Sequence, residues 1–458
     1  MTRRIVVVGG DAAGMSAANQ ALRTAAEVGE AVHVTVLERN DYTSYSACGM
    51  PYWIAGDVAD MGELIARTPE QHRAAGIDLR TGAEVVAVDL AGRTVQVRDA
   101  AGVETVAFDE LVWAAGASPV LPDWTRPDGD LPEGVLPLND LDEGAAWLAR
   151  LAVAEPIDVV VVGGGYIGVE MAEAAARRGH RVRLAARSRV LRGLAPELGD
   201  EVVAAMAAAG VDVRAGAHVE RLGVRDGHVT SITVNGEAWP ADAVVVAAGV
   251  SPNTTLLVDQ VPAECVGDSG GLRADGHGHV HDALWAAGDC AEVRNLVTGG
   301  WSYLPLGTHA NKHGRALGEA VVAGAERARW SFPGALGTAV TRFEGCEVGH
   351  TGLAEGDDVA MGLDAVGLVT RGTTASGYMP QATPITIKVL AERGTRRLLG
   401  VQVVGGQGAA KRVDAAAAVL HFGGSVDDLA WLDLSYAPPF ATAWEVLQVA
   451  ARRVAERL

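Results

Sequence analysis

This chain has few cysteines, little positive charge and no long apolar run, and each shortage removes a class of function. Four cysteines, Cys48, Cys265, Cys290 and Cys346, are spread over 458 residues without CxxC spacing. Neither a disulfide framework nor a zinc site is expected from them, and no metal is assigned. In a reducing compartment an exposed cysteine is more often a reagent than a staple. Lys and Arg number 38 against 57 Asp and Glu, a formal charge of -19. Such a surface repels a phosphate backbone, and no basic stripe with interleaved aromatics offsets it, so nucleic acid is not an expected partner. No apolar run approaches the ~18 residues that suggest a bilayer span, so no membrane association is expected. An apolar strand begins at Ile5, which leaves no room for a signal peptide before it, and a cytoplasmic location is expected.

Glycine is plentiful, with 57 residues, and two glycine-rich turns organise the rest. The length asks for two to four domains. In "RRIVVVGGDAAGMSAANQALR" a β-branched strand runs into a turn with Gly9, Gly10 and Gly14 and then an Ala-rich helix. This order aims backbone N–H groups and the positive end of a helix at a pyrophosphate. The next strand, "HVTVLER", ends at Glu38, an acid placed to accept ribose hydroxyls. One position departs from GxGxxG: Asp11 stands where its middle glycine would be. Taken alone, the segment reads equally as a dinucleotide site or an ordinary strand–turn–helix packing unit.

The second turn, in "IDVVVVGGGYIGVEMAEAAARRGHRVRLAAR", is complete, with Gly163, Gly165 and Gly168. The strand after it ends at Ala186 instead of a carboxylate and is followed by Arg187, Arg189 and Arg192. Loss of the acid and gain of guanidinium groups suit a 2′-phosphate, so NADPH is expected, with NADH as the second candidate. A solvated surface cluster is the other meaning of these arginines. Two cradles about 150 residues apart imply two dinucleotides, a flavin and a nicotinamide. "ALWAAGDCAEV" adds Gly288 and Asp289 at a strand end beside a helix start, where the acid suits a polyol such as the ribityl chain of FAD. "ELVWAAGASPVLP", with Ala115 and Gly116, and "DAVVVAAGVSPNT", with Gly249, form an internal repeat expected to close each dinucleotide domain.

The order of these segments resembles the FAD-dependent pyridine nucleotide-disulfide oxidoreductases along essentially the whole chain. "SYSACGMPYWIAGD", "PLGTHANKHGR" and "DDLAWLDLSYAPPF" are similar to the single-cysteine branch, which holds coenzyme A-disulfide reductase, NAD(P)H persulfide reductase and NADH oxidase. The resemblance implies an α/β fold of two Rossmann-like domains and a C-terminal α/β dimerisation domain. The FAD domain would comprise residues 1–140 and 276–335, the NAD(P)H domain 141–275 and the interface domain of a homodimer 336–458. In that last region "PITIKVLAE" and "RRLLGVQVVGG" read unaided as strands, and "GAAKRVDAAAAVLHFG" and "TAWEVLQVAARRVAERL" as helices. Further cofactor contacts implied are Arg39, Ser44, Tyr166, Ile167, Glu170 and His309.

In two-cysteine relatives the partner of the redox cysteine lies five residues upstream. Here that position is Thr43. The second sulfur must then come from substrate, or Cys48 must cycle through a sulfenic acid. A helix N-terminus at Cys48 would favour its thiolate. The resemblance implies Tyr436 and Tyr378, from the partner subunit, as groups near the cysteine that protonate a leaving thiol. His421, on an otherwise apolar helix, reads as structural. Ala47 replaces the usual Asn before the cysteine, and Ala12 replaces the histidine of water-forming oxidases. Arg23 with Arg67 or His72 are candidates for binding coenzyme A, with a solvated surface as the alternative. Four readings stay open: a disulfide or persulfide reductase working on a small thiol such as coenzyme A, an NAD(P)H oxidase or peroxidase, a flavin reductase feeding a protein partner, and a redox sensor.

Overall fold

The computed structural model describes residues 2–127 and 129–458. The chain divides into two compact units. One holds residues 1–48, 60–118 and 250–335, and the other holds 49–59, 119–249 and 336–458.

The first unit is built on a six-stranded sheet in the order His279–His281, Leu284–Ala286, Glu110–Trp113, Arg3–Val8, Val32–Leu37, Asp78–Arg80. All neighbours are parallel except the first pair. The central strand is buried through Val8 with no polar alternation, as a parallel strand covered on both faces must be. Helix Ala12–Val28 lies against helix Gly307–Ala323 with almost no side-chain gap. A β-carbon at Gly314 would sit 2.3 Å from Ala13 O and one at Gly318 2.2 Å from Ala17 O. These small residues, four apart, let two backbones approach as larger ones could not. Strands Glu84–Asp89, Thr94–Asp99 and Gly102–Ala107 form a separate antiparallel sheet.

The second unit repeats the plan. Its parallel sheet runs Asp212–Ala215, Arg181–Ala186, Asp158–Val162, Ala243–Val246, Val135–Leu136. Helix Tyr166–Arg177 follows the central strand. The C-terminal part is a five-stranded antiparallel sheet in the order Ala339–Phe343, Cys346–Gly352, Leu398–Gly405, Pro384–Glu392, Ala365–Thr373. The two strands read from sequence are there, and so are helices Val413–His421 and Val446–Ala455. No helix among the described residues is long and apolar enough to cross a membrane.

Candidate active site

The first glycine turn is shaped by close approaches that only glycine permits. Gly9 has φ 103° and its missing β-carbon would lie 2.2 Å from Ala114 O. That of Gly14 would lie 1.9 Å from Gly9 O, so the turn folds onto the start of its own helix. Gly10 N donates to Glu38 Oε2 at 2.6 Å, and Asn40 N donates to Glu38 Oε1 at 2.8 Å. Glu38 is buried, and burial raises its pKa against these two bonds. It borders a pocket of about 180 Å³ lined by Gly9, Arg39, Trp113, Ala115, Asn253 and Leu256, among others. An enclosed acid beside an N–H-rich turn and a pocket of this kind fits the adenosine end of a dinucleotide. Asn253 fastens the internal repeat: its Nδ2 donates to Ala115 O at 2.9 Å and its Oδ1 accepts from Ser118 Oγ at 2.8 Å. Gly116 O accepts from Asn253 N at 3.0 Å.

Two further acids face this turn. Burial lifts Asp11 to about 6, aided by the charges of Glu38 and Asp289. It lifts Asp289 to about 6 as well. Strand Ala291–Arg294 follows Asp289 in the chain. The helix start beside it belongs to Ala12–Val28, since a β-carbon at Gly288 would lie 2.9 Å from Ala13 Cβ. His309 stands in the first turn of helix Gly307–Ala323, bonded through Nδ1 to Leu304 O at 3.2 Å. Burial lowers its pKa.

The loop that leads to Cys48 is stitched to the same turn. Thr43, fully buried, donates its hydroxyl to Gly10 O. Ser44 N donates to Gly10 O at 3.3 Å and Tyr45 N to Asp11 Oδ1 at 3.2 Å. Ser44 takes φ 51°, a left-handed conformation that a non-glycine residue holds only under restraint. That restraint includes His72, whose Nε2 lies 2.9 Å from Ser44 Oγ. His72 is 1% exposed, and burial lowers its pKa, so it is not the accessible cation considered for coenzyme A. The residues that do remain on the surface are Arg23 and Arg67. Nothing in the sequence pairs His72 with Ser44, which is 28 positions away. Cys48 itself is exposed, in a short 3₁₀ turn, Ala47–Gly49, just before helix Met50–Ala55. An exposed thiol is not a buried small hydrophobe. No disulfide joins any of the four cysteines.

The second turn repeats the first in the other unit. Gly163 has φ 123°, with a β-carbon position 2.0 Å from Ala247 O, and Gly168 would clash with Gly163 O at 2.0 Å. At Gly165 a β-carbon would meet nothing within 4 Å. The cradle is open where a phosphate group would approach. Ala186 is buried, while Arg187 and Arg192 are exposed and enter no ion pair among the described residues. Arg189 donates to Leu194 O at 3.3 Å. Tyr166 and Ile167 are partly exposed at the helix start. Burial, and then the charge of Glu170, pushes Tyr166 up to about 12. Glu170 accepts from Thr341 Oγ1 at 2.7 Å, and burial raises it too. Gly249 has φ 111° in the turn that closes this part.

On the C-terminal part Tyr378 is 75% exposed and Tyr436 51%. His421, read as structural, ends helix Val413–His421 exposed, with its ring against Phe422. Among the described residues no group of His, Cys, Asp and Glu is arranged to hold a metal ion.

Residues 3–314 match the family described as pyridine nucleotide-disulphide oxidoreductase, and 338–447 match its dimerisation domain. The chain is 35% identical over 453 residues to an NAD(P)H sulfur oxidoreductase (CoA-dependent) of Pyrococcus abyssi, covering 98% of both. It superposes with TM-score 0.92 and 30% identity on an NAD-dependent persulfide reductase from A. fulgidus, covering 99% of this chain and 83% of that one. It superposes with TM-score 0.91 and 26% identity on an engineered water-forming NADPH oxidase bound to NADPH, covering 99% and 98%.

Proposed function

We propose, from the premise that this chain belongs to the pyridine nucleotide-disulphide oxidoreductase family, that it reduces a low-molecular-weight disulfide or persulfide of the coenzyme A type through Cys48. Family membership brings FAD and NAD(P)H as cofactors. When bound, FAD accepts a hydride equivalent from NAD(P)H and passes the electron pair to sulfur. In this reading residues 1–140 with 276–335 hold FAD, 141–275 hold NAD(P)H and 336–458 form the interface of a homodimer.

The observation that carries the proposal is an exposed Cys48 at the end of a loop bonded to the first glycine turn, with Thr43 where two-cysteine relatives keep a second sulfur. The first turn and its helix start offer N–H groups to a pyrophosphate, Glu38 accepts ribose hydroxyls and Asp289 a ribityl hydroxyl. Cys48, as thiolate, attacks one sulfur of the substrate. The substrate S–S bond breaks, a new S–S bond forms to Cys48, and the other half leaves as a thiolate that takes up a proton. An electron pair and a second proton then return the Cys48 thiolate and release the bound half as a thiol. Tyr436 and Tyr378, exposed in a single chain, serve as proton donors once a second copy brings them to the cysteine. The sulfur oxidoreductase of Pyrococcus abyssi, described as CoA-dependent, supports coenzyme A as the thiol, with Arg23 and Arg67 as surface cations for its phosphates.

NADPH is the preferred donor in this proposal. The engineered oxidase bound to NADPH carries alanine for aspartate, arginine for alanine and serine for methionine at three consecutive positions. This chain has Ala186, Arg187 and Ser188 in the same order. Replacing Cys48 by serine tests the central step. Disulfide or persulfide turnover is expected to fall by at least about 1,000-fold, as it does when a covalent nucleophile is removed, while NADPH-driven reduction of a one-electron acceptor continues. Undiminished disulfide turnover in Cys48→Ser would overturn the proposal.

A further inference from the structure

We propose that Asp11 is a positioning residue: its carboxylate holds the Cys48 loop against the first glycine turn, which no glycine at that place could do. Two neighbouring bonds, Thr43 Oγ to Gly10 O and Ser44 N to Gly10 O, use only backbone acceptors and would survive any residue at position 11. The third, Tyr45 N to Asp11 Oδ1 at 3.2 Å, needs a side-chain oxygen. Of these three it lies nearest to Cys48 in the chain; the loop is tied separately to residues 64–66 by Ser46 N to Leu64 O and Ala66 N to Ser44 O, both at 2.8 Å. Asp11 precedes helix Ala12–Val28 and makes no side-chain cap to it, although its carboxylate also takes the N–H of Ala12, the first helical residue. The equivalent position in the second turn, Gly165, leads to no such loop, and its β-carbon direction is empty.

This arrangement has a cost that makes it recognisable. A carboxylate beside the turn that receives a pyrophosphate adds a negative charge next to Glu38 and Asp289, which already face it. A residue kept there against like-charge repulsion has another use. Charge and acceptor oxygen are therefore separable: asparagine keeps the oxygen and drops the charge, and glycine drops both.

The test uses the holoenzyme and two variants, Asp11→Asn and Asp11→Gly. Alkylation of Cys48 by iodoacetamide after NADPH reduction, read by mass on the Cys48 peptide, follows the loop and does not depend on which disulfide is the substrate. In Asp11→Gly it should be about tenfold faster than in the unaltered protein, the scale of one ordinary hydrogen bond. In Asp11→Asn it should stay within about twofold, a rescue that a merely structural loss would not show. Release of FAD at pH 8, followed by flavin fluorescence, should be slower in both variants, because both remove the charge. An unchanged alkylation rate in Asp11→Gly, or Asp11→Asn alkylating as fast as Asp11→Gly, overturns the proposal. Faster FAD release in both would make Asp11 a cofactor ligand and overturn it too.

Discussion

At Gly10 a β-carbon would lie 2.8 Å from Glu38 Cβ, and at Gly164 in the other unit it would lie 2.9 Å from Ala186 Cβ. The two turns superimpose in logic down to that contact: both open with a glycine at large positive φ and both close on a glycine that touches the first one's carbonyl. Glu38 and Ala186 thus occupy the same place in two copies of one device. The first copy keeps the acid and also puts Asp11 where the second has Gly165. In the proposed function the scaffold sets where a pyrophosphate rests, and these two positions select the nucleotide and what else the turn holds.

The largest effects should come from closing either cradle. Gly168→Val places atoms where Gly163 O already lies, so nicotinamide-nucleotide binding should weaken by about 100-fold or more while the yellow FAD-bound colour persists. Gly14→Val should do the reverse, and purified protein should lose its flavin absorbance. Loss of both cofactors from either variant would show that the two turns are not independent. A smaller change should follow from making the second copy like the first. Ala186→Asp restores the acid and sets it beside Arg187, so the ratio of kcat/KM for NADPH over NADH should fall about 10- to 100-fold, the range of one charged hydrogen bond to phosphate. A ratio that does not move would leave the exposed arginines as surface charges.

The smallest effect separates the copies by pH. Asp11 and Asp289 are both held near 6 by burial, above the usual carboxyl value of 3.8. A folded-state value above the unfolded one means that the folded chain binds the proton more tightly. Stability from these groups is therefore complete below 3.8 and is lost as pH rises through 6. Asp109 behaves oppositely: paired with Arg4, it is held at about 2, so its stability is present above 3.8 and lost only as pH falls towards 2. Between pH 7.5 and 5, FAD-free protein should gain a few degrees in Tm, and Asp289→Asn should flatten that gain. A Tm that falls over this interval would contradict the burial assigned to both acids.

Much of this plan is legible in the residues themselves. The Val runs, the glycine spacings and the acid at the second strand's end are local patterns, and each falls where the sheet needs it. The C-terminal strands and helices are local too. The features that escape are contacts between distant residues. His72 reads as a surface cation until the fold buries it under Ser44. Asp289 reads as standing beside a helix start, but the residues do not say which one: that helix begins 277 positions earlier, at Ala12. Asp11 reads as a defect in a glycine motif and becomes intelligible only when Tyr45 N is found on its carboxylate. Pattern carries the scaffold, whereas the purpose of a departure from pattern lies in the third dimension.

The central claim is that Cys48 alone carries the sulfur chemistry, with its partner sulfur supplied by substrate. The direct test is the mass of the Cys48 peptide from protein incubated with coenzyme A disulfide and digested without reductant. The account predicts a coenzyme A adduct on Cys48 that NADPH removes. A Cys48 that stays unmodified, or is only oxygenated, would contradict it.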